Sequence, residues 1–174
     1  MGNAVIEAKT KKAHRNWPKT LIKKTQGTHG LVDFIIHTGS GQISGQIKGV
    51  EFNAAKIVRV IQEGVSVQEL SVLQAALDMP MERLAPKLGI SRATLNRRMA
   101  SGRLQPEESD RLVRFARLMG KAVETFESEE SARRWLTSAQ IGLGGAVPLD
   151  YAETEVGARE VEDLLGRIEY GVYS

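Results

Sequence analysis

Residues 80–102 read PMERLAPKLGISRATLNRRMASG, a segment with the pattern of two short helices joined by a sharp turn. Leu84, Ala85 and Leu88 fall on one face of the first helix, as expected for the side that packs inward. Gly89 follows where a helix end needs a residue that tolerates positive φ, so we expect the first helix to stop there. The segment therefore predicts a helix-turn-helix motif.

The second helix of this motif is expected at residues 92–99, and Ser91 can cap it by accepting a backbone N–H. Arg98 stands where the helix-turn-helix pattern usually has an apolar residue. We therefore expect Leu95 and Met99 to hold the second helix against the core.

Four side chains share the outer face of the second helix at spacings i, i+1, i+4 and i+5, namely Arg92, Ala93, Asn96 and Arg97. Arginine pairs with guanine O6 and N7, and asparagine pairs with adenine N6 and N7, so this face suits a DNA major groove. Together with Ser91, these residues are the predicted DNA-binding site. The alternative is an amphipathic helical hairpin whose arginines are merely solvated.

The composition is that of a globular protein without thiol chemistry. The chain has 174 residues, 41% hydrophobic and 26% charged, and contains no cysteine, which excludes disulfides and thiolate zinc sites. The histidines, His14, His29 and His37, lack the close spacing of metal ligands. No apolar run has the length of a membrane span, and the start lacks the apolar stretch of a signal peptide. We therefore expect a cytoplasmic protein with no metal, no cofactor and no membrane association.

The charge is distributed unevenly along the chain. Residues 1–50 hold eight Lys or Arg against two acids, and residues 51–125 hold twelve against nine. Residues 126–174 hold four against ten, so the rear of the chain is acidic. A basic front and middle favour a polyanion such as nucleic acid, whereas an acidic rear is repelled by DNA and should face another partner.

Residues 1–50 are expected to form a basic, flexible N-terminal arm and linker. The first 30 residues contain seven Lys or Arg without a sustained helical or strand period, which leaves open whether they contact phosphates or form a solvated tail. Residues 31–37 contain a compact apolar run that fits either a short strand or a helix. The glycine-rich residues 37–49 lack the ending of a phosphate-binding loop, which favours a linker.

Residues 51–125 are expected to form a helical DNA-binding domain around the helix-turn-helix. Asn53 can cap the first helix of this domain. Ser66 and Glu69 have the spacing of a capping box for the next helix, and Pro106 occupies a first helical position after the motif.

Residues 126–174 are expected to form a small helical C-terminal domain, so the predicted fold class is all-α. Ser128 and Thr154 can cap two of its helices, with a tight turn at residues 143–145 between them. Residues 170–174, YGVYS, form a short apolar tip with hydroxyl groups. This tip can fold back on its own domain or insert into a mostly apolar pocket of a partner.

Five motifs in fixed order resemble those of the Xre/MbcA/ParS antitoxins. They are LQPEESDRLVR at 104–114, ARRWL at 132–136, LGGAVPLD at 143–150, TEVG at 154–157 and GRIEYGVYS at 166–174. The resemblance covers about residues 53–174 and is far more specific than the helix-turn-helix alone.

The resemblance implies an antitoxin that forms a homodimer, binds its own operator DNA and blocks a toxin with its C-terminal domain. The family's usual partner is a RES-domain toxin that consumes NAD, and the implied mechanism is occlusion of the toxin's active site. The residues that match the occluding tail are Gly171, Val172, Tyr173 and Ser174, with Arg167, Glu169 and Tyr170 beside them. The alternative is a stand-alone helix-turn-helix repressor whose C-terminal domain only dimerises. No paired nucleophile and base is visible, so we expect no enzymatic activity.

Overall fold

The computed structural model describes residues 30–38, 45–47 and 50–171 of the chain. The helices in these residues are α1 Leu31–Thr38, α2 Ala54–Glu63, α3 Glu69–Leu77, α4 Met81–Lys87, α5 Arg92–Ser101, α6 Pro106–Phe126, α7 Glu129–Thr137, α8 Pro148–Tyr151 and α9 Glu155–Glu169, with a 3-10 turn at Ile141–Leu143. A short antiparallel hairpin pairs β1 Gly45–Ile47 with β2 Val50–Phe52. The predicted all-α class is confirmed, with this hairpin as the one addition among the described residues.

Helix α6 is the centre of the fold. It is amphipathic over 21 residues and packs against α1, α2, α3, α7 and α9, so its buried side belongs to a core that both halves of the chain share. Pro106 stands at its first position, as predicted. The predicted domain border after residue 125 falls in its last turn, and the two predicted domains therefore share this helix.

The apolar run that fitted a strand or a helix is the helix α1. Five of its eight residues are buried: Leu31, Val32, Phe34, Ile35 and Ile36. Helix α1 crosses α6 at Gly120, where an added Cβ would lie 2.9 Å from the carbonyl oxygen of Ile35. Residues 31–38 are therefore part of the core, whereas the sequence predicted an arm and linker through residue 50. Residues 1–29, which hold most of that predicted arm, lie outside the described residues.

Glu69 caps α1 rather than its own helix. Its buried carboxylate, 3% exposed, accepts backbone N–H groups of Gly30, Leu31 and Val32 at 3.1 to 3.3 Å. The predicted capping box of Ser66 with Glu69 is therefore wrong. Its own helix begins after Gln68 without a side-chain cap, and burial of α1 brings a second helix N-terminus to the carboxylate of Glu69.

The helix caps predicted at four other positions agree with the structure. Four polar residues each accept the N–H three positions later and so cap the helix that follows: Asn53, Ser91, Ser128 and Thr154. The turn at residues 143–145 forms with Gly144 and Gly145 at positive φ. The boundaries of these helices follow from side chains within one helical turn of each end.

Candidate functional site

The helix-turn-helix is formed by α4 and α5. Leu84, Leu88 and Ile90 are fully buried, and Gly89 takes a φ of 72° between the two helices. Arg111 of α6 donates from Nη1 to the Leu88 carbonyl at 3.1 Å and occupies the space where a Cβ on Gly89 would lie. The turn thus depends on glycine both for its backbone conformation and for the room it leaves to Arg111.

The predicted reading residues lie together on the open side of α5. Arg92, Ala93, Asn96 and Arg97 are all exposed. Ser91 is exposed too, but its Oγ accepts the Thr94 N–H at 3.2 Å, so its visible role is to cap the helix. The structure therefore brings the five predicted residues to one end and one face of α5.

Arg92 and Arg97, the two arginines of this face, are not neutralised by ion pairs with described residues. Arg97 donates from Nη2 to the Thr94 hydroxyl at 3.2 Å, which orients its guanidinium without neutralising it. Among the described residues, no carboxylate lies within 4 Å of Arg92 or Arg97. An anion approaching α5 would therefore meet two cations that the fold has not neutralised.

Arg98 points the other way, into the fold. Its Nε and Nη2 donate to the two carboxylate oxygens of Glu108 at 2.7 and 3.0 Å, and Glu108 also accepts the Gln105 N–H at 2.8 Å. Burial raises the pKa of the Glu108 carboxyl, but the hydrogen bonds from Arg98 and Gln105 and the nearby charge of Arg97 outweigh it, so the pKa lies below its ordinary value. This ion pair fills the position at which the pattern usually has an apolar residue.

Met99 does not hold α5 inward, and that prediction is wrong. Its side chain is 62% exposed, whereas Leu95 is half-buried as expected. Once Arg98 is directed at Glu108, the geometry of the helix turns the next residue outward. Sequence alone did not predict this because an arginine at an apolar position normally argues for a solvated face.

The acidic C-terminal helices lie against basic side chains of α4 and α6. Each of three carboxylates spaced by seven residues along α9 pairs with a cation of α6, in the pairs Glu155–Arg114 at 3.1 Å, Glu162–Arg117 at 3.0 Å and Glu169–Lys121 at 2.6 Å. Lys87 of α4 pairs with Asp150 of α8. The acidic charge that was expected to face a second partner is thus partly neutralised within the chain.

Lys121 is one of the enclosed cations among these, with a side chain 16% exposed. Burial lowers the pKa of Lys121, but the hydrogen bond to Glu169 and the charges of Glu124 and Glu169 outweigh it and raise the pKa above its ordinary value. The pair therefore fastens the last turn of α9 to the middle of α6.

The predicted toxin-binding residues lie at the end of α9, and only some of them fall in the described part of the chain. Arg167 is exposed, and Tyr170 is 80% exposed directly after the helix. Glu169 is exposed and forms an ion pair with Lys121. Gly171 takes a φ of 69°, and residues 172–174 lie outside the described residues.

Sequence reasoning missed several exposed apolar side chains of the C-terminal part. Ile141 is almost fully exposed because the 3-10 turn sits on α9, where a Cβ on Gly142 would lie 2.7 Å from Leu164 Cδ1. Val156 and Tyr151 are exposed as well. Ile141 and Tyr151 lie in a 3-10 turn and a four-residue helix, where periodicity gives no signal, and Val156 lies in the first turn of α9, outside its buried stripe.

The described residues hold no cluster of His, Asp or Glu side chains arranged to bind a metal ion. Within the same residues, no helix has the length and apolarity needed to span a bilayer.

Comparison with known proteins assigns both halves of the chain to families. Residues 56–117 match the antitoxin Xre-like helix-turn-helix domain, and residues 121–171 match the antitoxin Xre/MbcA/ParS C-terminal toxin-binding domain. Helix α1 and the hairpin precede both matched ranges. The border between the two matches lies within α6.

Three curated relatives extend over most of the same region. The antitoxin Xre of Yersinia enterocolitica is 39% identical over 120 residues, which are 68% of this chain and 81% of the relative. The antitoxin Xre of Photorhabdus laumondii is 32% identical, covering 66% of this chain and 79% of that protein. A Prs ADP-ribosylating antitoxin of Sphingobium is 28% identical, covering 67% of this chain and 80% of its own length.

Proposed function

Because this chain belongs to the Xre/MbcA/ParS family of antitoxins of toxin–antitoxin systems, we propose that it neutralises a RES-domain toxin that consumes NAD and binds the operator DNA of its own genes. It inhibits the toxin by placing residues 171–174 in the mouth of the toxin's active site. It acts as a homodimer in the cytoplasm and catalyses no reaction itself.

The match of residues 121–171 to a toxin-binding domain carries the toxin-directed part of this proposal. At the end of that range, Tyr170 is 80% exposed at the terminus of a helix that three ion pairs fasten to α6. An aromatic group on an anchored helix loses little conformational entropy when it enters a pocket. The sequence that follows, Val172, Tyr173 and Ser174, supplies apolar surface and hydroxyl groups suited to a mostly apolar site with a few polar anchors.

The name of one relative supports the proposed chemistry of the toxin. The Sphingobium protein is named a Prs ADP-ribosylating antitoxin, and ADP-ribose is transferred to proteins from NAD. A toxin that uses NAD, by transfer or by hydrolysis, is therefore the partner class that we propose for this chain.

The exposed face of α5 supports the DNA-directed part. Arg92, Asn96 and Arg97 are open to solvent on a helix that contains three arginines and no acid. Arginine and asparagine are the side chains best suited to guanine and adenine edges, and the lack of a carboxylate favours a polyanionic partner.

Inhibition can be tested with the cognate toxin, NAD and purified antitoxin variants. The full chain should stop NAD loss, and a chain lacking residues 171–174 should leave the toxin active while binding operator DNA nearly as well as the full chain. Tyr170→Ala should weaken inhibition at least about tenfold, since an aromatic anchor in a pocket contributes more than 1.4 kcal/mol. Tyr151→Ala, which removes an exposed tyrosine away from the tip, is the matched control.

A truncated chain that still protected NAD would overturn occlusion by the tail. The products also distinguish the toxin chemistries: free ADP-ribose indicates hydrolysis, and a labelled protein indicates transfer. If the full chain bound operator DNA but no toxin, the alternative of a stand-alone repressor would replace the antitoxin proposal.

A further inference from the structure

Met99 is a large apolar side chain on the face proposed to read DNA. It is 62% exposed, on a helix that carries three arginines and an asparagine. An exposed apolar residue by itself needs no explanation. The position of Met99 relative to its neighbours makes it informative.

Arg92, Asn96 and Met99 follow each other at i, i+4 and i+7 along α5, so their side chains line up along one edge of the exposed face. Thr94 and Leu95 are half-buried against the fold. Leu95 precedes Met99 by four residues, so Met99 lies at the edge of the exposed face that borders the buried one. Met99 therefore extends the row of proposed base-reading residues by one more turn.

The rotation of α5 that exposes Met99 is set by an interaction inside the fold. Arg98 is held by both carboxylate oxygens of Glu108 at 2.7 and 3.0 Å, and successive residues of a helix are about 100° apart. Turning Met99 into the core would break this pair and leave the carboxylate of Glu108, 7% exposed, without its cation. Exposure of Met99 is thus a consequence of the packing of α5 and not of a loose side chain.

We propose that Met99 contacts the C5 methyl group of a thymine in the major groove, next to the base that Asn96 reads. This inference rests on the proposed DNA binding. The thymine methyl is the apolar feature among the hydrogen-bonding groups that base pairs present in the major groove, and a flexible thioether adapts well to such a group. Since asparagine selects adenine, the two residues together specify A·T pairs at neighbouring positions.

The charge around Met99 favours DNA over a protein partner. Its row contains Arg92, Arg97 lies on the other edge of the face, and α5 contains no acidic residue. A partner for this face must therefore be strongly anionic and still offer a small apolar group beside its polar ones. A thymine-containing duplex meets both requirements.

The test removes only the C5 methyl group of thymine and leaves the hydrogen-bonding groups of the base in place. Each thymine of the operator is replaced in turn by deoxyuridine, and the affinity of the full chain for each probe is compared with that for the unmodified duplex. We expect one thymine, or one in each half-site, at which this change lowers affinity about fourfold, the value that burial of one methyl group predicts. In Met99→Ala the unmodified duplex should bind about as weakly as the deoxyuridine probe, and the two probes should become equal.

Two further variants make the comparison specific. Met99→Leu retains an apolar side chain and should retain most of the thymine preference. Val58→Ala shortens another exposed apolar side chain, 52% exposed on α2, and should leave the preference unchanged. Both Met99 variants should melt near the temperature of the unaltered chain, because the side chain is exposed.

A thymine preference that persists in Met99→Ala would overturn the inference while leaving DNA binding intact. The inference would also be overturned if Met99→Ala changed the oligomeric state of the protein and left the thymine preference unchanged. Met99 would then be a contact between protein chains. If the unaltered chain binds no duplex at all, the proposed DNA binding fails first and the inference fails with it.

Discussion

Arg98 and Glu108 form a two-point ion pair, at 2.7 and 3.0 Å, that joins the last turn of α5, the second helix of the helix-turn-helix, to the first turn of α6. The same carboxylate accepts a third hydrogen bond, from the Gln105 N–H at 2.8 Å. One carboxylate therefore fixes the rotation of α5, the loop after it and the start of the central helix.

Glu108→Gln should lower the free energy of unfolding by about 1–3 kcal/mol, because Arg98 and the Gln105 N–H lose a charged acceptor. Urea denaturation at neutral pH measures this change. Glu107→Gln, on the exposed side of the same turn, is the matched control and should alter stability by less than about 0.5 kcal/mol. Equal losses in the two variants would contradict a specific role for Glu108.

The contribution of Glu108 should depend on pH in a defined direction. Its pKa in the folded protein lies below the ordinary value of 4.5, so the ionised form stabilises the fold near neutral pH. That contribution is lost as the pH falls through the folded pKa. The stability difference between the unaltered chain and Glu108→Gln should therefore be constant near neutral pH and shrink below pH 4.5. A difference that grew on acidification would contradict the pairing with Arg98.

Glu69→Ala should detach the start of α1 from the core. Three backbone N–H groups lose their acceptor, and we expect a loss of about 1–3 kcal/mol together with faster amide hydrogen exchange at Leu31 and Val32. Glu63→Gln, an exposed change at the end of α2, provides the control. Unchanged exchange at Leu31 would show that another group caps α1.

Two glycines in helices should respond to alanine in opposite ways. Gly120→Ala places a Cβ 2.9 Å from the Ile35 carbonyl oxygen and should destabilise the chain by about 1–3 kcal/mol, because α1 must move away from α6. Gly166 on α9 has no atom within 4 Å of such a Cβ, so Gly166→Ala should stabilise by about 0.5–1 kcal/mol. Thermal melting of both variants checks the pair. A neutral Gly120→Ala would mean that the contact between α1 and α6 is looser than the structure indicates.

Arg97→Ala should reduce operator affinity by roughly 1–3 kcal/mol and relax discrimination at one base pair, as expected for an arginine that reads a base. Binding to operator variants and to random DNA separates the two effects. Arg134→Ala removes another exposed arginine, paired with Glu130 on α7, and should leave affinity unchanged. An equal loss on random DNA would make Arg97 a phosphate contact.

The amino-acid sequence by itself determined the local features of this protein. The helix caps at Asn53, Ser91, Ser128 and Thr154 each depend on groups within four residues, and the positive φ of Gly89 is a local property of glycine, so spacing and residue type were sufficient to predict them. The all-α class and the family resemblance followed in the same way, from periodicity and from short motifs in fixed order.

The tertiary structure alone decided which of those helices meet and which polar groups they use. Glu69 caps a helix 37 to 39 residues earlier, Arg98 pairs ten residues ahead, and Lys121 reaches Glu169 48 residues later. Such partners are not visible in a local pattern, since a buried carboxylate takes whichever donors the packing of the core brings to it. The outward orientation of the Met99 side chain and the burial of α1 in the core are further results of that packing.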